Sequence, residues 1–230
     1  MAPTSLTSRF LGTAFIAQFA TSLAAGILSG PILAGGISEV LANISGNLAQ
    51  MRASILLELL TSVFIIAMTS LLYAVLRNES RPVALVALGL WFAEAVTLAV
   101  STLGAYALVT LSVGYAGTGA AASSQETLGV IFLGVFQHAG DIAMLFFGLG
   151  AFLWYYLLFK SRVVPRALSV WGLLSLPTVL VATLLFIWDR SFNPSVVLYA
   201  AYVPFELVIG LWLLIKGARP ESLVELAESK

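Results

Sequence analysis

Cysteine is absent from the 230 residues, which removes disulfides, thiolate catalysis, iron–sulfur clusters and cysteine zinc sites. Charge is scarce: Asp, Glu, Lys and Arg make up 10% of the chain, against about 25% in a soluble domain. His138 is the only histidine, so one chain cannot supply a bis-histidine haem. The formal net charge is zero, and no basic cluster exceeds a helix-end anchor, which argues against a nucleic-acid partner. No lysine falls inside an apolar run, which excludes a retinal Schiff base. The chain also lacks a His-Glu-x-x-His zinc motif, a Gly-x-Ser-x-Gly elbow and a Gly-rich phosphate loop. No haem, flavin, nucleotide or retinal is expected.

Apolar length is what the chain has instead. Hydrophobic residues make up 60% of it, with a mean hydropathy of +1.01. Runs of at least ~18 apolar residues recur, the length that crosses ~30 Å of hydrocarbon as helix. They are continuous rather than alternating, which excludes a β-barrel. The fold class is all-α: a polytopic bundle of six transmembrane helices at Phe10–Leu33, Met51–Leu76, Pro82–Val113, Leu128–Phe159, Ala167–Trp188 and Val196–Lys216. The first run, ~24 residues long, exceeds a signal peptide's apolar region of roughly 7–15 and is expected to be retained.

Orientation follows from the basic residues. Arg9, Arg77, Arg81, Lys160, Arg162, Arg166, Lys216, Arg219 and Lys230 fall on one side of a six-helix arrangement, and Arg52 and Arg190 on the other. That places both termini in the cytoplasm. On the outer side, Ile37, Val40, Leu41, Ile44 and Leu48 recur at helical spacing after Ser38, a candidate N-cap. They predict a short amphipathic helix over about 38–50, as a surface connector or a lid. The stretch 114–127 is small and polar and reads as a flexible loop. The chain divides into one membrane domain, 1–218, and a short tail, 219–230, in which Ser222-Leu-Val-Glu225 fits a capping box.

Five ionisable residues interrupt the apolar runs: Glu58, Glu94, His138, Asp141 and Glu206. At ~1.5 Å per residue they fall roughly 10–20 Å below the outer face. Each lies on a polar stripe, which must face inward because lipid satisfies no hydrogen bonds. A charge at mid-bilayer costs roughly 2.5–3.5 kcal/mol, so four carboxylates cost on the order of 10 kcal/mol. No lysine or arginine lies at that depth to offset this. Protonation, hydration or a bound cation must do so. His138 and Asp141 stand three apart, on one helical face, and histidine is the commonest metal ligand.

A divalent metal site built from all five residues is therefore expected, with Gln18, Thr61, Thr97 and Tyr202 lining a substrate space. It would serve transport, or hydrolysis by a metal-bound water with a spare carboxylate as base. No catalytic residue is assigned. A proton-coupled small-molecule carrier uses the same acids as a relay, although no inverted repeat is visible. In a third reading the acids are protonated hydrogen-bond glue in a non-catalytic partner or sensor subunit. The expected partners are the lipid bilayer and either a membrane protein or a second copy of the chain.

Smaller features carry their own expectations. Gly26-Ile-Leu-Ser-Gly30 is a small-xxx-small segment expected to pack helix 1 internally. Gly134 and Gly148 are expected to leave room beside His138 and Asp141. Trp154, Trp188 and Trp212 read as interface anchors, helix 5 as peripheral scaffold, and Pro204 as a kink beside Glu206.

The segments Asp141-Ile-Ala-Met-Leu-Phe-Phe-Gly-Leu-Gly150, Leu157-Leu-Phe-Lys-Ser161, Pro165-Arg-Ala-Leu168 and Glu206-Leu-Val-Ile-Gly-Leu-Trp-Leu-Leu-Ile-Lys-Gly217 resemble a bacterial membrane family, domain-of-unknown-function family 4386. Leu71-Leu-Tyr-Ala-Val-Leu-Arg77 and the region of Glu94 fit the same pattern, and the resemblance covers Arg9 to Ala218. Members often carry an arginine one turn before the helix 3 glutamate, where this chain has Leu90-Trp-Phe92. The resemblance implies six helices in a bacterial inner membrane and no particular activity.

Overall fold

In a computed structural model, which describes residues 4–115, 119–189 and 201–217, the described chain is helical throughout. The helices are α1 (Thr4–Ser29), α2 (Ile37–Gly46), α3 (Leu48–Leu76), α4 (Arg81–Ser112), α5 (Gly119–Ser161), α6 (Arg166–Trp188) and α7 (Tyr202–Ile215). Five are long and apolar enough to cross a membrane, α1, α3, α4, α5 and α6, and α7 is a shorter apolar helix. The capping box at Ser222, the tail 219–230, Arg190 and the start of the last expected span (Val196–Ala200, with Tyr199) lie outside the described residues.

The six long helices form a ring in chain order. Each packs on the next, and α7 closes against α1. The ring's outer surface is apolar, with Ile27, Leu56, Val63, Leu103, Val130, Leu174 and Leu184 all exposed. Such a continuous apolar exterior suits lipid and no aqueous surface.

Small residues set the seams, because without a hydrophobic drive between helices in lipid, close backbone approach provides the packing. A Cβ on Gly12 of α1 would collide with the backbone of Leu213 and Leu214 in α7. One on Gly104 of α4 would lie 2.7 Å from the Phe132 carbonyl oxygen of α5, and one on Gly172 of α6 would press into Phe205 and Tyr155. Gly148 faces Leu180 of α6, so it packs a seam and leaves no open room. Gly26 meets nothing within 4 Å. The small-xxx-small segment of α1 therefore does not pack inside the ring, contrary to the expectation.

Several sequence expectations shift at their edges. The outer amphipathic helix ends at Gly46, because Asn47 leaves helical geometry (φ −130°, ψ 38°) before α3 begins. Its N-cap is Gly36 rather than Ser38, and the Gly36 N–H donates to the Glu39 carboxylate at 3.3 Å. The expected loop 114–127 is largely helix, since α5 begins at Gly119. There α5 extends past the ring beside the end of α4, where the Tyr115 hydroxyl donates to the Glu126 carboxylate. That hydrogen bond holds the Tyr115 phenol above its ordinary value. Pro177 lies inside an unbroken α6, and Pro204 sits in the first turn of α7, where a missing N–H costs nothing.

Two apolar clusters fill the ring at different heights. The first lies toward the end carrying Arg77, Arg81, Lys160, Arg162 and Arg166, and includes Phe15, Leu72, Trp91, Trp154, Tyr155, Phe205 and Leu213. Trp154 is fully buried in it, so it is no interface anchor; its place beside Trp91 overrides its helix-end position. Trp188, 90% exposed at the end of α6, fits the anchor role. The second cluster lies at the opposite end, where Val40, Leu41 and Ile44 of α2 pack on Met51, Ile55, Ala105 and Leu108. Helix α2 thus roofs the ring.

These contacts set a contrast between two glycines of one helix. Gly12→Ala should destabilise by about 1–3 kcal/mol, the usual cost of overpacking, and lower the Tm of the detergent-purified protein. Gly26→Ala should leave Tm unchanged or raise it, since alanine favours helix and meets no neighbour. Equal losses from both would contradict the closure of α1 on α7.

Candidate functional site

Helical periodicity delivers one inward face from each long helix. On α1 this face carries Gln18 and Ser22, on α3 Glu58, Thr61 and Ile65, and on α4 Glu94 and Leu98. On α5 it carries Gly140, Ala143, Met144 and Phe147, on α6 Val179, and on α7 Tyr202, Val203 and Glu206. Together these residues line one cavity of about 360 Å³ between the two apolar clusters. Helix α6, expected to be peripheral scaffold, supplies part of the wall.

Three of the five expected ionisable residues meet here: Glu58, Glu94 and Glu206. Gln18, Thr61 and Tyr202 line the same space, and among the described residues no lysine or arginine does. Thr97 does not; its hydroxyl donates to the Ala93 carbonyl oxygen at 2.7 Å, and Leu98 takes the lining position. His138 and Asp141 are also set off the cavity wall. They lie 3.7 Å apart, the His138 side chain is 67% exposed, and it shares an outward stripe with Ile131, Val135 and Ile142. Asp141 follows Gly140, whose backbone reaches the wall. The expected five-residue convergence is not formed. Among the described residues no group of three or more His, Asp or Glu side chains is placed to hold a metal ion.

The acids divide into a pair and a single group. Glu94 and Glu206 are each less than a tenth exposed and line the same cavity. Glu58 is half-buried, on α3 next to the α4 helix that carries Glu94. It also lines a second hollow, with Ser29, Ser54 and Thr102, on the α2 side. That hollow is about 10 Å³, near the ~10–15 Å³ that one water needs. Glu58 therefore stands between the cavity and the roof.

Two buried oxygens in the cavity wall have no hydrogen-bond partner: Glu94 Oε2 and Gln18 Oε1. The Thr61 and Thr21 hydroxyls lie 2.8 Å apart, joining α3 to α1. Buried acceptors without donors are costly in a low-dielectric interior.

The floor of the cavity is aromatic. Phe147 meets Tyr202 edge-to-face at 5.3 Å between centroids, and Trp91 stacks on Phe147 at 6.3 Å while its Nε1 donates to the Phe147 carbonyl oxygen at 3.1 Å. The Tyr202 and Tyr155 hydroxyls lie 2.8 Å apart beneath the acid pair. Trp91, which carries no special role in the sequence pattern, thus anchors the floor. Its position one turn before Glu94 was the available signal.

No curated protein and no solved structure matches the chain. One family does, described as "Domain of unknown function (DUF4386)", over residues 10–217. With nearly the whole ring inside that match, the chain belongs to the DUF4386 family.

Proposed function

We propose that the protein is a membrane carrier that exchanges a small cation for protons at Glu58, Glu94 and Glu206. The observation that carries this reading is the cavity itself: three carboxyls, no basic residue, and walls from all six long helices. Like charges crowded in a water-poor space must be balanced by protons or by a cation. A site that alternates between those two states couples their movements. The aromatic cluster bounds the cavity on one side, and α2 packs over the α3, α4 and α5 side of the ring; a carrier alternates which side is open.

The glue reading fits less well, because Glu94 Oε2 joins nothing. A bare divalent ion fits less well too. The cavity lies in the lower part of the roughly 300–1,000 Å³ range of small-molecule pockets, and no trio of ligands is gathered within it. By the positive-inside rule, the end bearing Arg77, Arg81 and Arg166 faces the cytoplasm of a bacterial inner membrane, and α2 lies on the outer face.

Two measurements test the reading. The cysteine-free chain allows single-cysteine probes: Ser22→Cys and Thr61→Cys should react with a membrane-impermeant, water-soluble thiol reagent, because a carrier's cavity is hydrated from one side. Leu174→Cys, on the lipid surface, should not react. Failure of both cavity positions would contradict a hydrated site. For exchange, liposomes holding the protein and an internal pH dye receive methylguanidinium outside. The lumen should turn alkaline with wild type. The rate should fall by about tenfold or more with Glu94→Gln or Glu206→Gln, since each removes a charge the cation needs. Traces matching empty liposomes would overturn the proposal.

A further inference from the structure

The chemistry of the cavity wall narrows the class of cation. Both unpartnered oxygens, Glu94 Oε2 and Gln18 Oε1, are acceptors, and the residues that bear them are each 7% exposed. An ion that only neutralises charge would leave them unsatisfied, whereas an N–H-bearing cation supplies donors and charge together. In the same wall as Glu94 and Glu206, Tyr202 and Phe147 present aromatic surface, which favours a cationic head. Leu98, Met144, Val179 and Ile65 make the rest of the wall apolar, a poor setting for a hydrated inorganic ion and a good one for hydrocarbon.

We infer that the cavity takes a protonated amine or guanidinium carried on a short apolar body. Its head lies between Glu94 and Glu206 beside Tyr202, and its body rests against Met144 and Leu98. This rests on the carrier reading for its biological use but not for the binding itself. Glu58, apart from the pair and facing the hollow under α2, is the carboxyl left to hold a proton while the head occupies the other two. The volume of about 360 Å³ limits the body to a single ring or a short alkyl chain.

The test is equilibrium binding to the full-length protein in detergent, read by calorimetry, with three probes of one shape. Benzylguanidinium carries charge and N–H donors, benzyltrimethylammonium carries charge alone, and benzyl alcohol carries neither charge nor N–H. Benzylguanidinium should bind at least about tenfold tighter than the other two, the scale of losing charge-assisted hydrogen bonds. Glu94→Gln and Glu206→Gln should each weaken it by about tenfold or more. Glu126→Gln, which lies beyond the cavity, should not. The wild-type probe series needs no variant, so a misfolded mutant leaves the test intact. Equal binding of benzyltrimethylammonium would overturn the donor requirement, and absence of benzylguanidinium binding would overturn the inference. Binding without lumen alkalinisation in liposomes would uphold the inference and overturn the carrier reading instead.

Discussion

Three carboxyl groups without a basic counter-charge, held inside a ring of apolar helices, are the constraint around which the molecule is built. Their insertion cost is of the order of several kcal/mol on any scale, comparable with the whole stability of an ordinary fold. A membrane protein that needed only packing would carry leucine there. Glu94 goes further, since one of its oxygens is buried with no partner at all. In the carrier reading, the cost is offset when a cation occupies the site.

The rest of the ring holds that space open and bounded. Gly12, Gly104 and Gly172 draw the backbones together at the seams, so the helices meet around the cavity without collapsing into it. The aromatic cluster of Trp91, Phe147, Tyr155, Tyr202 and Phe205 closes one end through interlocked rings and the Tyr155–Tyr202 hydrogen bond. The other end is closed by Val40, Leu41 and Ile44 of α2. The two closures differ in character. The floor is knit from several long helices, while the roof is one ten-residue helix between Gly35 (φ 97°) and the break at Asn47.

Much of this was legible in the sequence, and the misses have physical causes. Continuous apolar runs gave the spans, and the spacing of Ile37, Val40, Leu41 and Ile44 gave α2, because one-sided burial writes itself into periodicity. Glu58, Glu94 and Glu206 were visible as charges where none should persist. What spacing does not encode is which way a face points once helices pack. His138 lies on the exposed stripe continued by Ile131, Val135 and Ile142, and Asp141 is largely buried but off the cavity wall, whereas Gly140, Ala143 and Phe147 mark the inward side. Trp154 stood near a helix end and yet belongs to the core, since burial depends on the neighbours that tertiary packing brings. The polar stretch 119–127 is helical because α5 continues beside α4 past the ring, a tertiary support that local composition does not record.

The central claim is that protons and a cation balance the same three carboxyls. The most direct measurement is the proton count on binding, from calorimetry of benzylguanidinium in buffers of different ionisation enthalpy. This probe stays cationic throughout the working pH range, so any proton released comes from the protein. The account requires release of about one proton per cation bound near neutral pH, with release lost when Glu94 and Glu206 are both changed to glutamine. A binding enthalpy independent of buffer, with tight binding retained, would show that the carboxyls carry their charge permanently and would contradict the account.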